Sequence, residues 1–292
     1  MKKVLVTGAS GNVGIEILKF LERLNHSLEI YAGLRTTEIE NQDPINLKLK
    51  HRKLDFTKIE TFALALKDID VLFLLRPPQI SKVKKYFKPL IEVAKKSSVK
   101  HIFFLSVQGV EKNRIIPHYK IEKLVLDSKI PYTFLRPAYF MQNFTSTLRR
   151  DIVQNQMIYL PAGQAKFTII DTADIGFATA IALTESKKHL NKVYELTNNE
   201  ILTFTEMAEK ISKGTGQDIQ FISPNLLQFF IRKRKEGMPK MLILVMIILH
   251  FLPRFQKTPK TTDHVKSITG NEPKNFDDFI EENKNQLNLD RH

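Results

Sequence analysis

The 292-residue chain predicts an α/β fold: a doubly wound parallel sheet with a smaller, mainly helical C-terminal region. Three observations carry this expectation. The chain opens on a strand, a turn with glycines at Gly8, Gly11 and Gly14, and a helix. Strand-like and helical stretches then alternate. Two of the strands, Val71-Leu72-Phe73-Leu74-Leu75 and Ile102-Phe103-Phe104-Leu105, are apolar without interruption, as strands covered by helices on both faces are.

Taken in order, residues 4–7 form the first strand and a helix follows the glycines, with Ile15, Leu18, Leu21 and Leu24 as its apolar face. Gly8 permits a tight turn, Gly11 lets backbone approach a diphosphate without a Cβ between, and Gly14 lets helix and strand pack closely. Backbone N–H groups of Ser10, Gly11, Asn12 and Val13 then face phosphate oxygens at a helix N-terminus. The second strand, 28–34, ends at Arg35, about 20 residues past the turn, where a dinucleotide site reads the ribose. A guanidinium there favours a 2′-phosphate, hence NADP (NADPH) over NAD. Glu38, three residues on, keeps the NAD alternative open.

Further strands are expected at 52–54, 71–75, 102–106 and 133–135, followed by the turn Leu160-Pro161-Ala162-Gly163. Beyond it come a strand at 167–170, a helix at 172–184, a strand at 193–196, and mostly helices with a short strand at 219–222. The expected division is a dinucleotide-binding Rossmann domain over 1–156, to which 171–197 return. The remainder, 157–170 and 198–292, forms a smaller substrate-binding lid at a domain interface. In an open α/β sheet the ligand lies outside the carboxyl ends of the strands. That rule puts Asp55, Phe56, Arg76, Pro77, Ser106, Pro137, Tyr139 and Phe140 on the cofactor, and Phe140 with Asn143 on the substrate.

Composition removes several classes. There is no cysteine, so neither disulfides nor a thiolate nucleophile, and the eight histidines lack ligand spacing, so no metal is expected. No Gly-x-Ser-x-Gly elbow occurs, which disfavours a hydrolase. The net charge of +14 invites nucleic acid, but the lysines are spread along the chain instead of forming a stripe. No nucleic-acid partner is expected; a general positive field would attract an anionic dinucleotide. The apolar run after Met1-Lys2-Lys3 is broken by Gly8 and reads as a strand, not a signal peptide, so a cytoplasmic location is expected. Residues 241–252 are apolar on every face except for His250, yet too few to span a bilayer, which needs about 20 residues. They read as a buried helix, the wall of an apolar pocket or a dimer contact. Peripheral membrane contact is the alternative, because Arg232-Lys233-Arg234-Lys235 and Arg254 flank the run.

The glycine turn, Arg35, residues 74–78 and the block Ile130-Pro131-Tyr132-Thr133-Phe134-Leu135-Arg136-Pro137-Ala138-Tyr139-Phe140-Met141-Gln142-Asn143 resemble the NmrA-like family of atypical short-chain dehydrogenases/reductases. So do Ile268-Thr269-Gly270 and Phe276-Asp277-Asp278-Phe279. The resemblance implies an NADP-preferring Rossmann protein, in a family with members that reduce quinones, dyes or aromatic ethers and members that only sense the cofactor. Reductases of the wider superfamily use a Tyr and a Lys four residues apart on one helix face, the Lys lowering the tyrosine pKa. Tyr119 and Lys123 have that spacing, but counted back from Arg136 the family's lysine position falls on His118 and its tyrosine position on Arg114. Glu122 then matches the family's glutamate. His118 and Tyr119 are therefore the candidate proton donors, with His118 alternatively a mere partner of Glu122 one turn on. The function expected is NADPH-dependent reduction of a small, electrophilic, aromatic or quinone-like substrate. The alternative is a non-enzymatic, cofactor-sensing regulator.

Overall fold

The computed structural model describes residues 1–36 and 49–288, so Glu38 lies outside the described residues. Its strands are β1 (Lys2–Thr7), β2 (Leu28–Leu34), β3 (Lys50–Lys53), β4 (Val71–Leu75), β5 (His101–Leu105), β6 (Tyr132–Pro137), β7 (Tyr139–Phe140), β8 (Met157–Tyr159), β9 (Lys166–Ile170), β10 (Lys192–Leu196), β11 (Ile201–Thr203) and β12 (Gln220–Ile222). The chain divides into two compact units. The first holds residues 1–137, 172–196 and 264–271; the second holds 138–171, 197–263 and 272–292.

In the first unit all seven strands run parallel in the order β10-β6-β5-β4-β1-β2-β3. The chain builds outward from β1 to β3, then crosses to β4 and builds the other way, so the strand order reverses between β1 and β4. In such sheets that reversal opens a crevice at the carboxyl ends. Helix Asn12–Arg23 lies along helix Thr172–Thr184, where a Cβ on Gly176 would stand 2.5 Å from that of Glu16, and Phe20 meets Phe177 at 4.9 Å. Another core layer joins Leu5, Leu72, Leu74, Phe104 and Phe134 to Phe87, Ile91, Ile121 and Val125 from helices Val83–Lys96 and Pro117–Ser128.

The first helix buries Leu18 and Leu21 of its expected apolar face but not Ile15 and Leu24. It buries Val13, Gly14, Ile17, Leu18 and Leu21, while Ile15 and Leu24 are half-buried and Leu24 lies past the helix end. A step of three residues lags the helix by about 60° each time, so a stripe counted by threes drifts off the buried face.

One ion pair ties the layers of the first unit together. Arg136 of β6 donates from Nε and Nη2 to both oxygens of Glu122, at 3.0 and 2.8 Å, and from Nη1 to Glu111 at 3.1 Å. Glu122 is thus turned toward Arg136 and is not the partner of His118 that its spacing suggested.

The second unit is organised around two small sheets and is less purely helical than its composition suggests. One sheet has the order β11-β9-β7, the other pairs β12 with β8. Met141, Phe144, Phe167, Phe204, Phe229 and Phe276 fill its core. Thr203 and Asn225 each begin a helix with a reciprocal capping box, to Glu206 and Gln228. Lys233 is not a solvated member of its basic run: its ammonium is buried against Asp151 at 2.5 Å and Glu236 at 2.8 Å. Helix Lys240–Phe251 also departs from expectation, because it buries only Ile243, Met246 and His250 and leaves the rest of its apolar surface in solvent or half-covered.

Glu122→Ala leaves the Arg136 guanidinium, whose side chain is only 15% exposed, without its bidentate partner. The expected loss is about 3 kcal/mol of unfolding free energy in urea titrations followed by circular dichroism, against less than about 1 kcal/mol for Glu111→Ala. Equal losses would show that the pair does not hold the layers.

Candidate functional site

The carboxyl end of β1 leads directly into the glycine turn. Gly8 adopts φ +66°, and the Gly11 N–H closes the turn by donating to the Gly8 carbonyl at 2.9 Å. A Cβ on Gly14 would lie 2.1 Å from that same carbonyl oxygen, so only glycine allows the helix to sit this close to the strand. Gly11 differs: its Cβ position meets nothing nearer than the Gly8 oxygen at 3.3 Å, and the residue is exposed and extended, at φ −90° and ψ 165°. It heads the helix without a capping side chain, and no acidic residue stands in the first turn. The donors around Ser10, Asn12 and Val13 are thus left for an anion.

Next along the rim, the Leu75 N–H donates to Thr7 Oγ1 at 2.9 Å and Leu75 packs against Gly8, which brings the ends of β1 and β4 together. Arg76 follows. Its Nη1 donates to the carbonyls of Pro77, Pro78 and Ile80, each at 3.0 Å, and its Nε to His118 Nε2 at 3.3 Å. No carboxylate pairs with it among the described residues, and burial pushes its pKa down, as for a cation lacking a counter-ion. Just past β5, Ser106 is buried and its hydroxyl has no partner among the described residues. An orphaned buried hydroxyl beside an unpaired guanidinium strand end suits a polar ligand.

On the other side of β1, Arg35 is exposed just beyond β2. Asp55, past β3, accepts from the Thr57 N–H at 2.9 Å and hydroxyl at 2.7 Å. Burial raises its pKa, but the two Thr57 hydrogen bonds and the charges of Lys58 and Arg35 outweigh this and hold it below the usual range. Phe56 is buried against Phe87 at 5.2 Å, so its ring serves the core.

The two candidate proton donors fare differently. His118 is half-buried near Phe104, and burial first, then the Arg76 charge, lowers its pKa to about 3. With Nε2 accepting from Arg76 it is a neutral imidazole carrying its proton on Nδ1. Tyr119 is half-buried while Lys123 is exposed, and no hydrogen bond joins them. The shared spacing of Tyr119 and Lys123 produces no pair.

The second unit holds the residues after Pro137. Tyr139 is half-buried: its ring lies among Phe144, Phe167 and Phe204, and its hydroxyl donates to His250 Nε2 at 3.2 Å. Burial pushes the Tyr139 pKa up, partly opposed by a hydrogen bond with Asn143. His250 donates from Nδ1 to the Met246 carbonyl at 2.6 Å, and burial lowers its pKa to about 4, so both partners are neutral. His250 is the single polar residue in the apolar run 241–252, and that isolation is the sequence signal for its buried partner. Phe140 and Asn143 are half-buried. No group of three or more His, Cys, Asp or Glu able to hold a metal occurs among the described residues.

Residues 1–267 match the model of the NmrA-like family. Prestalk A differentiation protein A of Dictyostelium discoideum is 30% identical over 281 residues, covering 96% of this chain and 91% of that protein. Agroclavine dehydrogenase of Claviceps fusiformis is 28% identical over 297 aligned positions, 97% of each chain. Among solved structures, an NADPH-dependent quinone oxidoreductase from Escherichia coli, complexed with NADPH, shares the fold with a TM-score of 0.85 at 20% identity, over 96% of this chain and 99% of that one. The open glycine turn, the seven-stranded parallel sheet that presents it and a family match over nearly the whole length agree: this chain belongs to the NmrA-like family.

Proposed function

We propose that the protein is an NADPH-dependent reductase that transfers hydride to a small, flat, quinone-like acceptor. The observation that carries this reading is the uncapped helix N-terminus after β1, with Arg35 past β2 and Arg76 past β4, the latter without a carboxylate partner among the described residues. An uncapped helix N-terminus, Arg35 and Arg76 suit a dinucleotide bearing three phosphates better than one bearing two. The dehydrogenase and the NADPH-dependent quinone oxidoreductase among the similar proteins support it.

In this reading the N–H groups of Ser10, Asn12 and Val13 hold the diphosphate, that of Gly11 being engaged by the Gly8 carbonyl, while Arg35 holds the 2′-phosphate, and Asp55 and Phe56 the adenine-side loop through backbone. Arg76, Pro77, Ser106 and Pro137 serve the nicotinamide half, with Tyr139 positioning Phe140; Phe140 and Asn143 are assigned to the acceptor. NADPH, when bound, supplies the hydride. The protein's own contribution to protonation is small, because neutral His118 is a weak acid and no hydrogen bond joins Tyr119 to Lys123. A quinone fits that poverty: its reduced form is a stabilised anion that water can protonate, unlike the alkoxide from an ordinary ketone. His118 then acts by orienting Arg76, not by donating a proton. The missing Tyr–Lys pair also favours a second reading, a protein that binds the dinucleotide and signals its occupancy without turnover.

Gly11→Val places a side chain over the helix N-terminus, where its Cβ has one tight contact, the Gly8 carbonyl at 3.3 Å, and a diphosphate would sit. NADPH binding, followed by fluorescence titration, is expected to disappear while the circular dichroism spectrum stays that of the wild type. Undiminished binding in the folded variant would remove the phosphate-turn assignment.

Steady-state reduction of a panel of quinones and dyes tests the chemistry. Tyr119→Phe is expected to cost less than tenfold in turnover, whereas loss of a true general acid costs about 10²–10⁴-fold. Since His118 loses its charge above about pH 3, the rate is expected to show no ionisation near the ordinary histidine value of 6.5 between pH 5 and 8. A hundredfold loss in Tyr119→Phe would restore a tyrosine mechanism. Absence of turnover with every acceptor, despite tight NADPH binding, would favour the regulator.

A further inference from the structure

Helix Lys240–Phe251 is apolar on two opposite sides, and only one of them is used. Its inner side buries Ile243, Met246 and His250 in the core of the second unit. At 100° per residue, Met241, Leu244, Val245, Ile248, Leu249 and Leu252 fall within an arc of about 140° on the other side. All six are exposed, Met241 to 66%, and Phe255 at the end of the following turn is exposed to 74%. A helix of a soluble domain normally turns polar residues outward, and contiguous exposed apolar patches mark contact surfaces.

The charges around this face indicate what covers it. From Gly237 to Thr262 there is no acidic residue, while Lys240, Arg254, Lys257 and Lys260 occur. Lys240, Arg254 and Lys257 are exposed, and Arg234 and Lys235 add exposed cations at the end of the preceding helix, Leu226–Lys235. A second copy of the chain seated on this face would oppose these cations to their own equivalents, in a chain already carrying +14. An acidic surface would not. Among the described residues no helix is long and apolar enough to cross a membrane, and this one has twelve residues, about 18 Å. With its inner side held in the core of the second unit, only the outer apolar face is left to lie in the plane of an interface.

We propose that the outer face of helix Lys240–Phe251, with Phe255, docks on an anionic phospholipid surface. The apolar arc enters the boundary between headgroups and acyl chains, while Lys240, Arg254 and Lys257 meet lipid phosphates. Attachment is peripheral and reversible. Each cation near an anionic leaflet adds an attraction that salt screens.

Co-sedimentation of the full-length protein with phosphatidylglycerol/phosphatidylcholine vesicles, and with phosphatidylcholine vesicles alone, tests this. The wild type is expected to pellet with the anionic vesicles, to release at about 1 M salt, and to stay in solution with the neutral ones. Val245→Glu/Ile248→Glu should weaken binding at least tenfold with unchanged circular dichroism. Lys240→Gln/Lys257→Gln, which leaves the apolar face intact and guards against a folding defect, should weaken it about tenfold or more at low salt. The proposal is overturned if the wild type does not pellet with anionic vesicles, or if the two variants pellet as the wild type does. It is equally overturned if lipid-free sedimentation shows a wild-type dimer that Val245→Glu/Ile248→Glu dissociates, since a second copy would then own the face.

Discussion

The close approach of a helix to a strand end governs this protein. Gly14 must be glycine because any Cβ there would collide with the Gly8 carbonyl oxygen. The helix N-terminus therefore rests on the carboxyl end of β1, the central strand at which the order of the sheet reverses. Everything proposed for the first unit follows from that placement. Leu75 packs on Gly8 and donates to Thr7, which fixes where Arg76 leaves β4. Ser106 follows the next strand, and Arg35 follows the strand on the other side. The partial positive charge of the helix end is left open by Gly11, which has no side chain to cap it.

A second level of organisation is electrostatic, and it works by removing carboxylates. Asp55 accepts twice from Thr57 through Oδ1, and Glu122 is locked to Arg136. With these acids occupied, the guanidinium of Arg76 keeps its charge without a counter-ion, and that charge in turn helps hold His118 neutral. A site that keeps cations unanswered is preorganised for a polyanion, because the unfavourable charge density is relieved only when the ligand arrives. The same arrangement makes the site poor in acids, which matches acceptors that need little proton assistance.

Much of this was legible in the sequence, and the parts that were not share a cause. The glycine turn, the uninterrupted apolar strands and the helix at 172–184 announce themselves through local chemistry and periodicity. The partners of charged and apolar side chains do not. Glu122 sits one turn from His118, yet its partner is Arg136, brought alongside by β6; Lys233 sits in a basic run, yet is buried between Asp151 and Glu236. Spacing along a helix reports which residues share a face, but not what that face meets. The segment 241–252 shows the same limit: its apolar character is plain, but that only Ile243, Met246 and His250 are buried depends on how much core the second unit has to offer. His250 is the instructive case, since a lone polar residue in an apolar run was a sign of a buried partner, and that partner is Tyr139.

The central claim is that the crevice selects a dinucleotide by its extra phosphate, through Arg35. Calorimetric titration of NADPH and NADH into the wild type and Arg35→Ala tests it most directly. A lost charge-assisted contact is worth about 1.5–3 kcal/mol, or roughly ten- to hundredfold in affinity. The account predicts that the wild type prefers NADPH by that factor and that Arg35→Ala loses the preference while NADH binding barely changes. Equal affinities in the wild type, or equal losses for both dinucleotides in the variant, would contradict it.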